Sequence, residues 1–158
     1  MKPTTGYISE QNKSFYHGLF LQWYEKDRKQ IHFAGCYKNR AKHGLWTLWW
    51  QNGRKQYEMD YSEGICNIET YWHDNGQKMS ERFFIDGIIK DGKQISWHPN
   101  GKIFTETTYL GGKRNGPHVK WDQKGVKREQ GTYTNDRRRG LWIWWNEHGS
   151  IGTKINFK

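Results

Sequence analysis

The chain has little of several features that would assign it to a familiar class. It contains two cysteines and three prolines among 158 residues, which excludes a disulfide scaffold and favours reduced thiols. It has no apolar run near the roughly 20 residues that a membrane-spanning helix requires, and no apolar segment of the signal-peptide type follows Met1. We therefore expect a cytoplasmic protein.

Acidic residues are scarce beside basic ones. Asp and Glu total 16 against 26 Lys and Arg, which gives a formal net charge of +10. An excess of this sign says little about fold, but it favours a negatively charged partner: nucleic acid, an anionic membrane or an acidic protein surface. The alternative is that the charge only keeps an aromatic-rich protein soluble.

Motifs for catalysis and for metal binding are missing too. There is no glycine-rich phosphate loop, nucleophile elbow, Cys-x-x-Cys or His-Glu-x-x-His. His73 and His98 occupy equivalent positions in the repeats described below, but on neighbouring hairpins such residues stand roughly 10 Å apart, too far for one zinc ion. We expect no catalytic residues, no metal and no cofactor, and hence a protein that is not an enzyme.

What the chain has in abundance is aromatic residues in a regular pattern. They make up 16% of the sequence. Six tryptophans recur every 23 to 26 residues, five residues after a glycine or, once, after an asparagine: Trp23, Trp49, Trp72, Trp97, Trp121 and Trp145. A turn pair follows each of them: Asp27-Arg28, Asn52-Gly53, Asn75-Gly76, Asn100-Gly101, Lys124-Gly125 and His148-Gly149. A fixed short period of this kind indicates a repeat protein.

Each repeat has the pattern of a β-hairpin. In the second, strand-like residues lead to Asn52-Gly53, a pair that tolerates positive φ at both residues, and a looser connection leads to the next unit. No apolar period of 3.6 residues is present. We predict an all-β fold, an elongated antiparallel sheet of about six sequential β-hairpins with little or no helix. It forms one domain of residues 17–158 behind an N-terminal cap of residues 1–16.

Alternation along the strands predicts the buried face. Counted from the glycine, odd positions are mostly apolar, as at Leu19, Leu45 and Leu141, and end at the recurring tryptophan. We predict that this face is buried and that its core is Trp23, Trp49, Trp72, Trp97, Trp121 and Trp145. Asn67, in place of the glycine, predicts a left-handed backbone there, because asparagine tolerates that conformation next best.

Even positions are polar in the middle repeats and aromatic in the first two and the last. Exposed clusters of large rings mark interfaces, so we predict these aromatic contact residues: Phe20, Tyr24, Trp46, Trp50, Trp142 and Trp144. Two other interpretations stay open. The N-terminal segment would cover the first repeats, or a neighbour or second copy would cap the last one.

Basic residues cluster in the connections between repeats: Lys38, Arg40, Lys42, Lys113, Arg114, Arg137, Arg138 and Arg139. In a stack of hairpins these connections emerge along one edge, so we expect a positive stripe that binds a partner. Arginine beside aromatic rings is typical of binding hot spots, and the same mixture suits single-stranded nucleic acid.

Several segments resemble a known repeat. The run from Tyr109 to Gly116 followed by Trp121, together with Tyr61-Ser62-Glu63-Gly64 and the run from Trp49 to Lys55, is similar to the MORN-repeat variant of the bacterial YwqK-type antitoxin family. The resemblance extends over residues 17–158. It implies a sheet of sequential antiparallel hairpins and a role in toxin neutralisation or protein–protein contact.

These observations favour a non-enzymatic protein-binding module. The leading hypothesis is an antitoxin- or immunity-type inhibitor that neutralises an acidic, toxin-like protein through its repeat sheet. A nucleic-acid or nucleotide-binding protein acting in phage–host conflict is the second hypothesis, and a scaffold on anionic membranes is the third. Open edge strands also favour an edge-to-edge homodimer.

Overall fold

The computed structural model describes residues 4–8, 18–24 and 29–158. Over these residues the chain forms strands and turns and no helix, so the predicted all-β fold is confirmed. The strands are β1 (Thr4–Ile8), β2 (Gly18–Trp23), β3 (Ile31–Lys38), β4 (Ala41–Trp49), β5 (Lys55–Ser62), β6 (Ile65–Trp72), β7 (Lys78–Ile85), β8 (Ile88–Ile89), β9 (Gly92–Trp97), β10 (Ile103–Leu110), β11 (Lys113–Trp121), β12 (Lys127–Thr134), β13 (Arg137–Trp145) and β14 (Ile151–Phe157).

The strands pair with their neighbours in sequence. The chain divides into two compact units, unit 1 (Met1–Gly76) and unit 2 (Gln77–Lys158). Unit 1 has the strand order β1-β2-β3-β4-β5-β6, and unit 2 has β7-β9-β10-β11-β12-β13-β14, with β8 paired to β7 beside that path. Antiparallel hairpin succession, as predicted, is the rule in both. In the predicted cap of residues 1–16, β1 pairs with β2, and the rest lies outside the described residues, as does the predicted turn Asp27-Arg28.

The Asn-Gly turns differ from the prediction of positive φ at both residues. At Asn52-Gly53 only the glycine has a positive φ, of 79°. The turn spans four residues, because the Gly53 N–H donates to the Trp50 carbonyl at 2.9 Å, while the Asn52 side chain accepts from the Arg54 N–H at 3.0 Å. Gly76, Gly101, Gly125 and Gly149 close their turns in the same way. The asparagine therefore acts through its side chain.

The connections that we expected to be looser are the tight ones. Within the described part of the chain, five two-residue turns have positive φ at both residues: Asn39-Arg40, Glu63-Gly64, Asp86-Gly87, Gly111-Gly112 and Asn135-Asp136. Such turns match the right-handed twist of the strands that they join. At Arg40 and Asp136 the φ values of 68° and 65° place a side chain where three other repeats have glycine.

Irregular strand pairing accompanies the recurring glycine. Between β3 and β4, only Gly35 separates the residues that pair with Thr47 and His43, so three residues of β4 stand opposite one, and Gly44 there has a φ of 66°. Asn67 does not adopt the left-handed backbone that we predicted. The irregularity between β5 and β6 adds a single residue, and the Asn67 side chain donates to Ser62 Oγ at 2.9 Å.

The core differs from the predicted one. The two fully buried large side chains among the described residues are Trp46 (1% exposed) and Trp142 (0%), both of which we predicted to be exposed. The six recurring tryptophans are only half-buried. On their face Leu45 and Leu141 are 59% and 54% exposed. The prediction that this face is the buried one is wrong.

Glycine in the preceding strand explains which tryptophan is buried. A Cβ on Gly35 would lie 2.1 Å from the Trp46 ring, and one on Gly131 would lie 2.2 Å from the Trp142 ring. Each indole lies flat over a strand that has no side chain at that point. Its Nε1–H donates to a carbonyl of the same strand, Cys36 at 3.0 Å for Trp46 and Thr132 at 3.1 Å for Trp142.

Candidate interaction surface

In unit 1, one face of the sheet is built from aromatic rings, and we call it the aromatic face. The Trp46 ring stacks on Phe20 with centroids 5.7 Å apart, and it contacts Phe33 at 5.1 Å and Tyr37 at 4.8 Å. Lys42 Nζ lies 4.7 Å from the Trp46 ring centroid. Lateral contacts of this kind give a single-layer sheet its hydrophobic stabilisation, since each ring buries a large area.

Unit 2 has an aromatic face of the same design. The Trp142 ring lies 4.9 Å from Tyr133, 5.8 Å from His118 and 5.9 Å from Trp144. The Arg138 guanidinium covers it at 4.6 Å. A cation over a tryptophan face is favourable, especially where water is partly excluded.

Three of the cations that we predicted to bind a partner instead contact aromatic rings of these two faces. Lys42, Arg114 and Arg138 each stand two residues before the recurring glycine. Arg114 lies 4.2 Å from the Tyr133 ring and 2.9 Å from the Asp136 carboxylate, and Arg138 lies 3.1 Å from that of Glu129. Their role here is to cover rings of their own chain, so the stripe that we expected does not include them as free charges.

The remaining predicted aromatic residues are half-buried. The Tyr24 hydroxyl donates to the Trp49 carbonyl at 2.5 Å, and its ring contacts His32 at 4.4 Å. Trp50 buries its Nε1 without a hydrogen-bond partner among the described residues. Phe20 and Trp144 stack on the buried tryptophans, as given above. The aromatic set is thus mainly structural.

Burial and ion pairing shift several pKa values. Burial lowers the pKa of His118 below its usual value, and it lowers that of His32 as well. The hydrogen bond from Arg114 lowers the pKa of Asp136, and the same contact raises the pKa of Arg114. Burial raises the pKa of Tyr57, Tyr61 and Cys66 above the usual values of phenols and thiols.

The other face of unit 2 is open. Because side chains alternate along β13, Arg137 and Arg139 project away from the aromatic face that Arg138 covers. Both are exposed, and neither has an ion-pair partner among the described residues. They therefore lie in strand β13 rather than in a loop as predicted, and their charges are not neutralised within the chain.

Exposed apolar residues accompany these arginines. Leu141, two residues after Arg139, is 54% exposed, and Leu110, which pairs with Lys113 across β10 and β11, is 56% exposed. Lys154 on β14 pairs with Ile143 on the same face. We call this group the basic patch: Leu110, Lys113, Arg137, Arg139, Leu141 and Lys154.

Acidic residues on the same face do not neutralise the basic patch. Glu81 is paired with Lys78 at 2.8 Å, and Glu106 is paired with Lys93 at 3.1 Å. The basic patch therefore combines uncompensated positive charge with exposed leucine, a composition that suits contact with a surface bearing carboxylates and apolar groups.

In unit 1 the predicted basic residues flank one turn. Lys38 and Arg40 are both exposed at the turn between β3 and β4. Lys38, Asn39 and His43 line a cleft of about 310 Å³. Leu19 and Leu45, whose burial we predicted, are 45% and 59% exposed.

The residues that our sequence analysis missed are Gly35 and Gly131. Each lies inside a strand, where glycine is poorly suited, and each precedes a buried tryptophan by eleven residues. That pairing is the signal in the sequence that identifies the buried indoles. The leucines of the basic patch have no comparable signal, because their alternation is typical of a core strand.

Two other kinds of site are absent from the described ranges. Across residues 4–8, 18–24 and 29–158, no three His, Cys, Asp or Glu side chains are grouped so as to hold a metal ion. Within the same ranges there is no helix of the length and apolar character that would cross a membrane.

Comparison with known proteins gives limited but specific matches. Residues 42–63 and 90–110 match the family model described as MORN repeat variant. No curated protein matches the chain. A crystal structure of a GtfA/B complex bound to UDP and GlcNAc matches at 9% identity with a TM-score of 0.28, covering 98% of this chain and 26% of that one. The chain thus spans about a quarter of that protein, and the likeness carries no argument.

The two family matches include features that the structure explains. Residues 42–63 contain Gly44, Trp46 and the turn glycine Gly53, and residues 90–110 contain Gly92, Trp97 and Gly101. The narrower resemblance to the YwqK-type antitoxin family has no support among these matches and stays a prediction. The chain is therefore similar to the MORN repeat variant over residues 42–63 and 90–110.

Proposed function

We propose that this chain is a non-enzymatic protein-binding module that acts as an antitoxin- or immunity-type inhibitor in the cytoplasm. It binds an acidic protein through the basic patch of unit 2. The observation that carries the proposal is the pair Arg137 and Arg139, which are exposed, have no ion-pair partner among the described residues and lie beside the exposed Leu141.

The different roles of adjacent arginines on β13 support this assignment. Arg138 covers Trp142 at 4.6 Å and pairs with Glu129 at 3.1 Å, while its two neighbours point to the other face. Arginine beside an apolar anchor is the composition of a binding hot spot. A net charge of +10 also accelerates association with an acidic surface.

The second candidate, nucleic-acid binding, is favoured by the same net charge. It differs in its salt dependence, because neutralising several phosphates releases counterions and gives a steep fall of affinity with salt. The exposed leucines of the basic patch favour a protein instead, since leucine offers little to a phosphate backbone.

The test is capture of the partner from the native host with the full chain as bait. We expect a single enriched acidic protein whose capture is lost with Arg137→Glu/Arg139→Glu. The control Lys90→Glu/Lys124→Glu changes two exposed lysines of unit 2 by the same total charge, and it should capture normally. Circular dichroism and urea unfolding check that both variants are folded.

Inhibition is tested by expression. The captured protein, expressed alone, should arrest growth, and co-expression of the wild-type chain but not of the Arg137→Glu/Arg139→Glu variant should restore it. A partner that is harmless alone would contradict the antitoxin role while leaving protein binding intact. Equal loss of capture in both variants would show a general charge effect, and enrichment of RNA or DNA in place of a protein would favour the second candidate.

A further inference from the structure

The aromatic face of unit 2 is interrupted at β9. Gln94 stands two residues after Gly92, the position that Trp46 and Trp142 hold relative to Gly44 and Gly140. Here no indole covers the neighbouring strand. The shorter, polar glutamine leaves a cleft of about 80 Å³ where the other two repeats are filled by a ring.

Hydroxyl groups line this cleft in a row. Ser80 on β7 pairs with Ser96 on β9, which pairs with Thr105 on β10, so the three side chains lie on one face of three successive strands. Ser96 Oγ and Thr105 Oγ1 are 2.6 Å apart. In a bond between two hydroxyls one hydrogen stays available, so this pair retains a donor for a bound group.

The cleft also has an uncompensated positive charge. Arg82, two residues after Ser80, lines it with Tyr109, and Arg82 is exposed without an ion-pair partner among the described residues. Glu81 borders the cleft only through its backbone, because it alternates with Ser80 and Arg82 along β7. Its carboxylate lies on the opposite face, 2.8 Å from Lys78. An anion in the cleft would therefore meet a guanidinium that has no ion-pair partner among the described residues, while the nearest carboxylate faces away from it.

We propose that this cleft binds an oxyanion, a carboxylate or a phosphate group, with Arg82 as the charge partner and the hydroxyls of Ser80, Ser96 and Thr105 as further hydrogen-bond partners. A guanidinium and hydroxyl groups together can donate hydrogen bonds to the oxygens of a planar carboxylate or of a tetrahedral phosphate. The space suits it, because a cleft with room for a few water molecules accepts a carboxylate or phosphate in their place. The site lies on the opposite face from the basic patch and does not depend on the proposed function.

The experiment is an NMR titration of the full chain, labelled with ¹⁵N, with inorganic phosphate and separately with acetate. Sodium chloride at matched ionic strength provides the reference. We expect saturable shifts of the amides of residues 80–82 and 94–96 that chloride does not reproduce. Saturation by phosphate alone identifies a phosphate site, and saturation by acetate identifies a site for carboxylates.

Two variants decide whether the cleft is responsible. Arg82→Gln should weaken binding of the titrating anion by about tenfold or more, because a charge-assisted bond is lost. Lys124→Gln, at an exposed lysine outside both the cleft and the basic patch, should leave the Kd unchanged. Ser96→Ala removes only a hydroxyl and should weaken anion binding by a smaller factor. It tests the cleft even if Arg82→Gln does not fold. Shifts that follow chloride, or an unchanged Kd in Arg82→Gln and Ser96→Ala, would overturn the proposal.

Discussion

At the scale of single residues, two glycines decide which rings form the core. Trp46 and Trp142 are buried because Gly35 and Gly131 have no side chain beneath them. The six periodic tryptophans, for which the sequence pattern is much stronger, are half-buried. In a sheet without a second layer, a ring is buried only where the adjacent strand makes room for it.

Gly131→Ala tests this account directly. The new Cβ would lie 2.2 Å from the Trp142 ring, so the indole must move, and we expect a loss of about 1 to 3 kcal/mol in the free energy of unfolding. Urea denaturation followed by circular dichroism measures it.

The matched control is Gly152→Ala, on the neighbouring strand β14. There a Cβ would meet its nearest atom, the Trp144 carbonyl oxygen, at 3.6 Å, an ordinary contact. The free energy of unfolding should stay the same or rise slightly, since alanine restricts the unfolded chain. Equal losses in the two variants would mean that the indole is not seated on Gly131.

At the scale of the elements, the turns between repeats set the positions of the strands. Arg40 occupies the second residue of a two-residue turn with a φ of 68°, where the equivalent turns have Gly64, Gly87 and Gly112. Because a side chain is disfavoured in this conformation, Arg40→Gly should raise the free energy of unfolding by about 1 kcal/mol. Thermal and urea unfolding provide the measurement.

The equivalent substitution Asp136→Gly gives the comparison. It relieves the same backbone conformation, with a φ of 65°, but it removes the carboxylate that pairs with Arg114 at 2.9 Å. We expect a smaller gain or a loss. If Arg40→Gly destabilises the protein more than Asp136→Gly does, the turn is not strained as described.

His118 connects three strands of unit 2 and makes stability depend on pH. Its Nδ1 lies 2.7 Å from Thr107 Oγ1, and its ring stacks on Trp142. Burial lowers its pKa below the usual histidine value of about 6.5, so the unfolded chain takes up a proton at a higher pH than the folded chain does. The free energy of unfolding should therefore fall as the pH decreases below that value.

Urea unfolding at a series of pH values from about 7.5 to 5 measures this effect, on either side of the ordinary histidine pKa. His118→Gln should flatten the dependence, because the group that titrates is gone. His148→Gln is the matched control, at a histidine side chain that is 80% exposed. A slope that His118→Gln does not change would assign the pH dependence to other groups.

The strands and their order are largely predictable from the sequence. Which of their side chains are buried is not. The repeat period and the hairpin succession follow from the spacing of glycine, tryptophan and turn residues. Alternation divides the side chains of a strand into two faces correctly, as Arg138 and Arg139 show. It cannot tell which face is dry, because that depends on contacts between strands, such as Trp142 over Gly131, that are separated in sequence.

At the scale of the whole molecule, the fully buried tryptophan of each unit lies on one face of its sheet, and exposed leucines lie on the other. Arg114, Arg138 and the buried tryptophans belong to the stabilising contacts. The predicted partner site is thereby reduced to the exposed cations, of which Arg137 and Arg139 have no ion-pair partner among the described residues.

The most direct measurement compares Arg138→Gln with Arg139→Gln, adjacent residues on β13 that face opposite ways, by the Kd for the captured partner protein. Arg138→Gln removes the cation over Trp142 and should lower the free energy of unfolding by about 1 to 2 kcal/mol without changing that Kd. Arg139→Gln should leave the free energy of unfolding unchanged and raise the Kd for the partner about tenfold. A Kd that responds to Arg138→Gln and not to Arg139→Gln would contradict the account.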